Sequence, residues 1–139
     1  MNSPFKTRIT EMFGIRTPIL CGGMQWVSKA DFVSAVCNAG VLGFITAESF
    51  ETPEDLRIEI RRMRDLTDQP FGVNLSMIPE LGEPERTLQF CDVIVEEGVK
   101  IVETAGRSPK PLMPKLKEGG VKVIHKLTSL RHAESAEKL

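Results

Sequence analysis

Short apolar runs alternate with amphipathic stretches along this chain, a pattern typical of strands that alternate with helices. We predict five strands, which begin near Pro18, Val41, Phe71, Val99 and Val121. These starts lie 22 to 30 residues apart, so each interval has room for one crossover helix. Strands and helices in this order form a parallel sheet with right-handed crossovers. The pattern therefore predicts an α/β fold of about five βα units.

The intervals carry specific helix signals. Ser28 is predicted to cap a helix that ends at Gly40. Thr52, Pro53 and Asp55 have the spacing of a capping box with proline at the first helical position. Further helices are predicted over residues 84–97, 109–118 and 130–139, a helical lead-in over 5–14, and a loop over 77–83.

The turn after the first strand organises the rest of the chain. In PILCGGMQWVS (residues 18–28), Gly22 and Gly23 have no Cβ, so the backbone there can lie against a flat ligand. An ordinary tight turn explains the glycine pair equally well. No GxGxxG follows the strand, which argues against a dinucleotide-binding doubly wound sheet. A β/α (TIM) barrel remains, and five of its eight units predict a partial barrel.

Composition narrows the function classes. A net charge of −1 argues against a dedicated nucleic-acid binder, and we interpret the arginines of residues 57–64 as a solvated helix face. No apolar run is long enough to span a bilayer, and the N-terminus lacks a signal-peptide pattern, so we expect a cytoplasmic protein without a membrane partner. The three cysteines are interpreted as buried apolar residues rather than a disulfide or zinc set.

Five motifs in order resemble the nitronate monooxygenases, flavin enzymes formerly called 2-nitropropane dioxygenases. They are PILCGGMQWVS (18–28), NAGVLGFIT (38–46), PFGVNL (70–75), VETAG (102–106) and GVKVIHK (120–126). The resemblance implies that residues 1–139 are the N-terminal portion of a single FMN-binding β/α barrel. It implies oxidation of alkyl nitronates with molecular oxygen. FMN-dependent enoyl-ACP reductases, which use NADH or NADPH, are similar over the same stretches and remain an alternative.

The resemblance also assigns flavin contacts. The positions that it matches are Gly22, Gly23, Met24, Gln25, Asn74, Ser76 and Lys126. All lie at carboxyl ends of predicted strands, where barrel active sites are found. A lysine near the N1–C2=O edge of the ring favours the reduced, negatively charged flavin. Cys21 stands where relatives commonly carry glutamine, which alters hydrogen bonding near the ring.

Three further polar residues have competing interpretations. Glu103 is either a carboxylate of the site or a satisfied carboxylate of the core or rim. His125 alternates to the face opposite Lys126, and we expect a hydrogen-bonded structural histidine there. His132 is expected on the exposed side of the last helix.

The family's catalytic histidine follows a sixth strand, and its FMN phosphate loops follow the seventh and eighth. Neither His125 nor His132 matches that histidine, so we assign no catalytic residue and no metal. We expect this chain alone to bind FMN weakly and not to turn over nitronates.

Five units leave two open sheet edges. The chain is then a fragment of a longer product, which we favour, or a partial sequence, or it self-associates through those edges. A non-catalytic remnant or subunit is the remaining alternative.

Overall fold

The computed structural model describes residues 5–77 and 84–139 and contains a parallel sheet of five strands in sequential order. The strands are β1 (Leu20–Cys21), β2 (Leu42–Thr46), β3 (Gly72–Met77), β4 (Ile101–Gly106) and β5 (Lys122–His125). The helices are α1 (Arg8–Phe13), α2 (Ala30–Asn38), α3 (Pro53–Leu66), α4 (Pro84–Glu96), α5 (Met113–Glu118) and α6 (Leu130–Ala136). A 3₁₀ turn, Ala47–Ser49, follows β2.

Each strand pairs in parallel with the next, and a helix follows each of them. This is half of a β/α barrel, which confirms the predicted fold class. Within the described ranges, β1 and β5 each pair along one side only. The apolar side chains of Ile19 and Leu20 at the β1 edge are 55% and 37% exposed.

The sheet has a different core on each face. Between the sheet and α2–α5 lies the larger cluster, which includes Ile45, Ile60, Val73 and Ile94. The concave inner face has a smaller cluster. Its buried members are Phe13, Ile15, Leu42, Phe44 and Ile101. Since these strand residues lie at the starts of β2 and β4, the amino-terminal half of the inner face is apolar and is covered by α1 and the segment that follows it.

Helix boundaries agree with the sequence where capping chemistry is strong. The Thr52–Asp55 capping box is present, with the Asp55 N–H donating to Thr52 Oγ1 at 3.2 Å. The prediction that Ser28 caps α2 is wrong: Lys29 is the N-cap residue, and Ser28 Oγ instead accepts from the Met24 N–H at 3.0 Å. Residues 109–112 form a turn before α5 rather than its first residues. Met77 belongs to β3, and the rest of the predicted loop, 78–83, lies outside the described residues.

The arginine-rich face of α3 is paired rather than free. Arg57, Arg61 and Arg64 all donate to the carboxylate of Glu97 just after α4. Hydrogen bonds from Arg61 above all hold the pKa of Glu97 down to about 2. These contacts join α3 to the end of α4 and leave this face without a row of uncompensated positive charge.

The cysteines differ in burial. Cys37 and Cys91 are buried, whereas Cys21 is half-buried, and all three are free thiols. Among the described residues, no helix combines the length and the apolar character that crossing a bilayer requires.

Candidate functional site

Polar side chains occupy the carboxyl-terminal half of the inner face. The register places Thr46 beside Asn74 and Asn74 beside Glu103. Because side chains alternate between the two faces of a strand, Thr46 shares the inner face with Phe44, and Glu103 shares it with Ile101. The inner face therefore changes from apolar to polar along the strands, as expected for the functional end of a barrel.

Glu103 is the hub of this polar region. Glu103 is a residue of β4 and is only 5% exposed. Oε2 accepts hydrogen bonds from the Gly23 N–H at 3.0 Å and from Asn74 Nδ2 at 2.7 Å. Oε1 lies 3.3 Å from Lys126 Nζ. One carboxylate thus joins the turn after β1, the middle of β3 and the residue after β5. Glu103 is a buried carboxylate with internal partners, and three of those partners are positions predicted to contact a flavin.

Asn74 and Ser76 are adjacent on this face, but they differ in access. Ser76 Oγ donates to Asn74 Oδ1 at 3.1 Å and is half-buried, whereas Asn74 is only 1% exposed. Both ends of the Asn74 amide are engaged inside the chain. A ligand at this point would therefore meet Ser76 rather than the buried Asn74 amide.

Gly23 is required by close approach rather than by an unusual backbone angle. A Cβ there would lie 2.5 Å from Asn74 Cβ and 2.6 Å from Thr46 Oγ1. Neither Gly22 nor Gly23 is among the positive-φ residues, whereas Trp26 has a φ of 68°. The turn is held by the Trp26 N–H, which donates to Ser49 Oγ at 2.8 Å. The residue with a left-handed backbone conformation, Trp26, thus lies three residues after Gly23, the glycine that close packing requires.

The side chains of the turn face outward. Met24 is 42% exposed and Trp26 is 68% exposed, while Gly22, Gly23 and Gln25 are half-buried. Of the seven positions predicted to contact a flavin, Gly23, Asn74, Ser76 and Lys126 form one connected network. Within residues 5–77 and 84–139, no hydrogen bond joins the side chains of Met24 and Gln25 to it.

Two buried polar atoms beside this network lack hydrogen-bond partners. They are Thr46 Oγ1 and Glu48 Oε2. Glu48 Oε1 accepts from the Ser76 N–H at 2.6 Å. Burial raises the pKa of Glu48 to about 7, against the lowering effect of the Ser76 N–H. Sequence reasoning overlooked both residues, although their positions at the end of the second strand and just beyond it pointed to the same edge.

His125 lies on the opposite face from Lys126, as predicted. Its Nδ1 is 2.9 Å from Thr104 Oγ1, so it is a hydrogen-bonded histidine. Burial lowers its pKa, with a smaller contribution from His132. His132 is exposed on α6, which also confirms the prediction.

Comparison with protein families decides the classification. A family model described as nitronate monooxygenase matches residues 6–91, which is more than half of the chain. The chain belongs to the nitronate monooxygenase family. This family consists of oxidoreductases, and its match includes the glycine turn, Thr46, Asn74 and Ser76.

Curated relatives carry two kinds of name. A carboxyl-CoA dehydrogenase of Mycobacterium tuberculosis, (3aS,4S,5R,7aS)-5-hydroxy-7a-methyl-1-oxo-octahydro-1H-indene-4-carboxyl-CoA dehydrogenase, is 35% identical over 92% of this chain and 34% of its own length. A probable nitronate monooxygenase of Staphylococcus saprophyticus is 30% identical over 94% of this chain and 45% of its own length. The chain thus spans between a third and a half of the length of these relatives.

Solved structures share the fold. FabK from Thermotoga maritima superposes with a TM-score of 0.87 at 36% identity, over 96% of this chain and 41% of that one. A nitroalkane oxidase from Streptomyces ansochromogenes gives a TM-score of 0.77 at 24% identity, over 95% of this chain and 46% of that one, and so shows the fold alone.

Removal of the Glu103 carboxylate is expected to destabilise the fold. Glu103→Ala leaves the buried Asn74 amide and the Gly23 N–H without an acceptor, at a cost of roughly 1–3 kcal/mol in the free energy of unfolding. Urea denaturation at neutral pH measures the loss. Glu118→Ala, at the exposed end of α5, is the matched control and should change stability by less than about 0.5 kcal/mol. Equal effects of the two substitutions would show that Glu103 is not a structural hub.

The raised pKa of Glu48 predicts a pH dependence of stability. Between its ordinary value of 4.5 and about 7, the folded protein holds a proton that the unfolded chain has lost, so this group makes stability fall as pH rises. Glu48→Gln removes that loss and keeps an acceptor for the Ser76 N–H. The urea midpoint of the variant should therefore exceed that of the native protein by a margin that grows from pH 4.5 to 7. Glu51→Gln, exposed on the same segment, should show a flat difference; a flat difference for Glu48→Gln contradicts the assignment.

Proposed function

We propose that the protein binds FMN at the polar end of the inner face and acts as a flavin-dependent oxidoreductase. The observation that carries this proposal is the convergence of Gly23, Asn74 and Lys126 on the buried Glu103 carboxylate. Membership of the nitronate monooxygenase family supports the same cofactor.

The residues at this edge fit a flavin. Met24 and the glycine turn offer a partly exposed surface next to the network, and Lys126 offers an ammonium group whose side chain is 47% exposed. On the same face, Thr46 Oγ1 is a buried hydroxyl oxygen that has no hydrogen-bond partner among the described residues. FMN, when bound, supplies a ring that accepts two electrons from a substrate.

The protein's own groups would orient and tune that ring. Glu103 holds Lys126 at 3.3 Å and so fixes the position of a positive charge at the mouth. The Lys126 ammonium group, although balanced by Glu103, still offers N–H donors to an anionic ring edge. Ser76 Oγ is held by Asn74, and the Asn74 amide is held by Glu103, so both side chains are fixed in place before any ligand arrives.

For the substrate, we propose an alkyl nitronate that is oxidised with molecular oxygen. The family description and the Staphylococcus saprophyticus relative support this class. A second candidate is an acyl thioester, as in the enoyl-ACP reductase alternative. It is favoured by the Mycobacterium tuberculosis relative, whose printed name specifies a carboxyl-CoA substrate.

Lys126→Met is expected to weaken FMN binding roughly tenfold, because one charge-assisted contact is lost. Quenching of FMN fluorescence on titration with the protein measures the dissociation constant. Lys126→Arg, which keeps the charge, should recover most of the affinity, and Lys138→Met, at the exposed end of the chain, should leave it unchanged. The same FMN affinity in Lys126→Met and Lys138→Met would place the flavin elsewhere.

Anaerobic reduction separates the two substrate classes. Flavin bleaching at 450 nm on addition of propyl-2-nitronate, without pyridine nucleotide, is the result expected for a nitronate oxidiser. Bleaching by NADH or NADPH alone would favour the thioester alternative. A purified protein that takes up no flavin at all would favour the non-catalytic alternative over both.

A further inference from the structure

A second hollow lies beyond the carboxyl ends of β4 and β5 and is bounded by α6. It is a cavity of about 310 Å³ between the loops that follow these two strands and one side of α6. That volume is at the lower end of the range for small-molecule sites. His125, which lines it, points to the face opposite the Glu103 network, so the cavity is not simply an extension of the proposed flavin site.

The cavity has a basic lining. Arg107, His125 and His132 contribute to its wall, and none of its lining residues is a carboxylate. In the described part of the chain, no ion pair or hydrogen bond engages the Arg107 guanidinium. Lys126 also borders the cavity, but its ammonium group is paired with Glu103 on the inner face. Arg107 is therefore the uncompensated positive charge at this site.

Hydroxyl groups complete the set of donors. Ser108, Thr128 and Ser135 line the same cavity. Among the described residues, Thr128 and Ser135 make no hydrogen bond through their side chains, so their hydroxyls are available to a ligand. The Nδ1 of His125 is held by Thr104, which leaves the Nε2 of its ring for another partner.

We propose that this cavity binds the phosphate group of a phosphorylated small molecule other than the flavin. A phosphate presents several acceptor oxygens, and the site offers one guanidinium and three hydroxyls around a small hollow. Guanidinium binds phosphate through two parallel hydrogen bonds, which adds geometric selectivity to the charge. A carboxylate, with two oxygens, would leave part of this donor set unused. The inference goes beyond the proposed function because Arg107 and the three hydroxyls are not among the residues proposed to hold the flavin, although Lys126 borders both sites.

Calorimetric titration with sodium pyrophosphate, at constant ionic strength and pH 7, tests the site. One binding site is expected, with affinity roughly tenfold weaker in Arg107→Gln. The matched control is Arg131→Gln, which removes the same charge from the exposed surface of α6 outside the cavity and should change the dissociation constant less than twofold. Equal weakening in both variants, or no binding by the native chain at millimolar pyrophosphate, overturns the proposal.

Two further arms identify the source of the phosphate. The first arm compares adenosine 3′,5′-bisphosphate with adenosine. If the bisphosphate binds and adenosine does not, the ligand is an organic phosphate ester. Pyrophosphate binding that persists after saturation with FMN supports a site separate from the flavin, whereas competition by FMN but not by riboflavin overturns that separation. Ser135→Asp, which places a negative charge in the wall, should abolish binding while thermal melting confirms folding, and serves if Arg107→Gln fails to fold. Pyrophosphate affinity does not depend on flavin uptake, so failure here is distinct from failure of the proposed function.

Discussion

The buried carboxylate of Glu103 is the constraint on which this end of the molecule depends. A carboxylate at 5% exposure is costly to bury unless hydrogen bonds and a counter-charge compensate. Here the compensation comes from the Gly23 N–H, the Asn74 amide and the Lys126 ammonium. These three groups are far apart in sequence, so the satisfaction of one charge fixes the relative positions of the β1 turn, β3 and the end of β5.

The rest of the inner face packs closely around that arrangement. Phe44 and Ile101 pack below the polar region, with Phe13 from α1 against them. Gly23 packs so tightly on Asn74 and Thr46 that no side chain fits. Yet two polar atoms, Thr46 Oγ1 and Glu48 Oε2, stay buried and without partners. Such groups reduce stability, and these two lie at the carboxyl-terminal end of the sheet, next to the residues proposed to hold the flavin.

The two polar regions near the carboxyl ends have different chemistry. On the inner face, the positive charge of Lys126 is balanced by Glu103, and the Ser76 hydroxyl is engaged by Asn74. Beside α6, Arg107 has no carboxylate partner among the described residues, and in the same part of the chain the Thr128 and Ser135 hydroxyls make no side-chain hydrogen bond. The two regions lie on different faces of the sheet, because successive residues of a strand point to opposite faces. Thr104 and His125 contact each other on one face, and Lys126, the residue after His125, points to the other.

The sequence by itself determined the order and the parallel arrangement of the five strands, because hydrophobic runs, capping boxes and crossover lengths are local features. It also placed Asn74, Ser76 and Lys126 at one edge, because carboxyl ends of parallel strands coincide. It did not separate the two roles of Glu103 or reveal Glu48, since burial and register are set by residues 28 to 80 positions away. It attributed the glycine pair either to contact with a flat ligand or to a tight turn, whereas the tertiary structure shows that close packing against Asn74 excludes a Cβ at Gly23. The tendency to form a helix or a strand is encoded within a few neighbouring residues. The electrostatic and steric fit of the site arises only after strands that are distant in sequence have packed together.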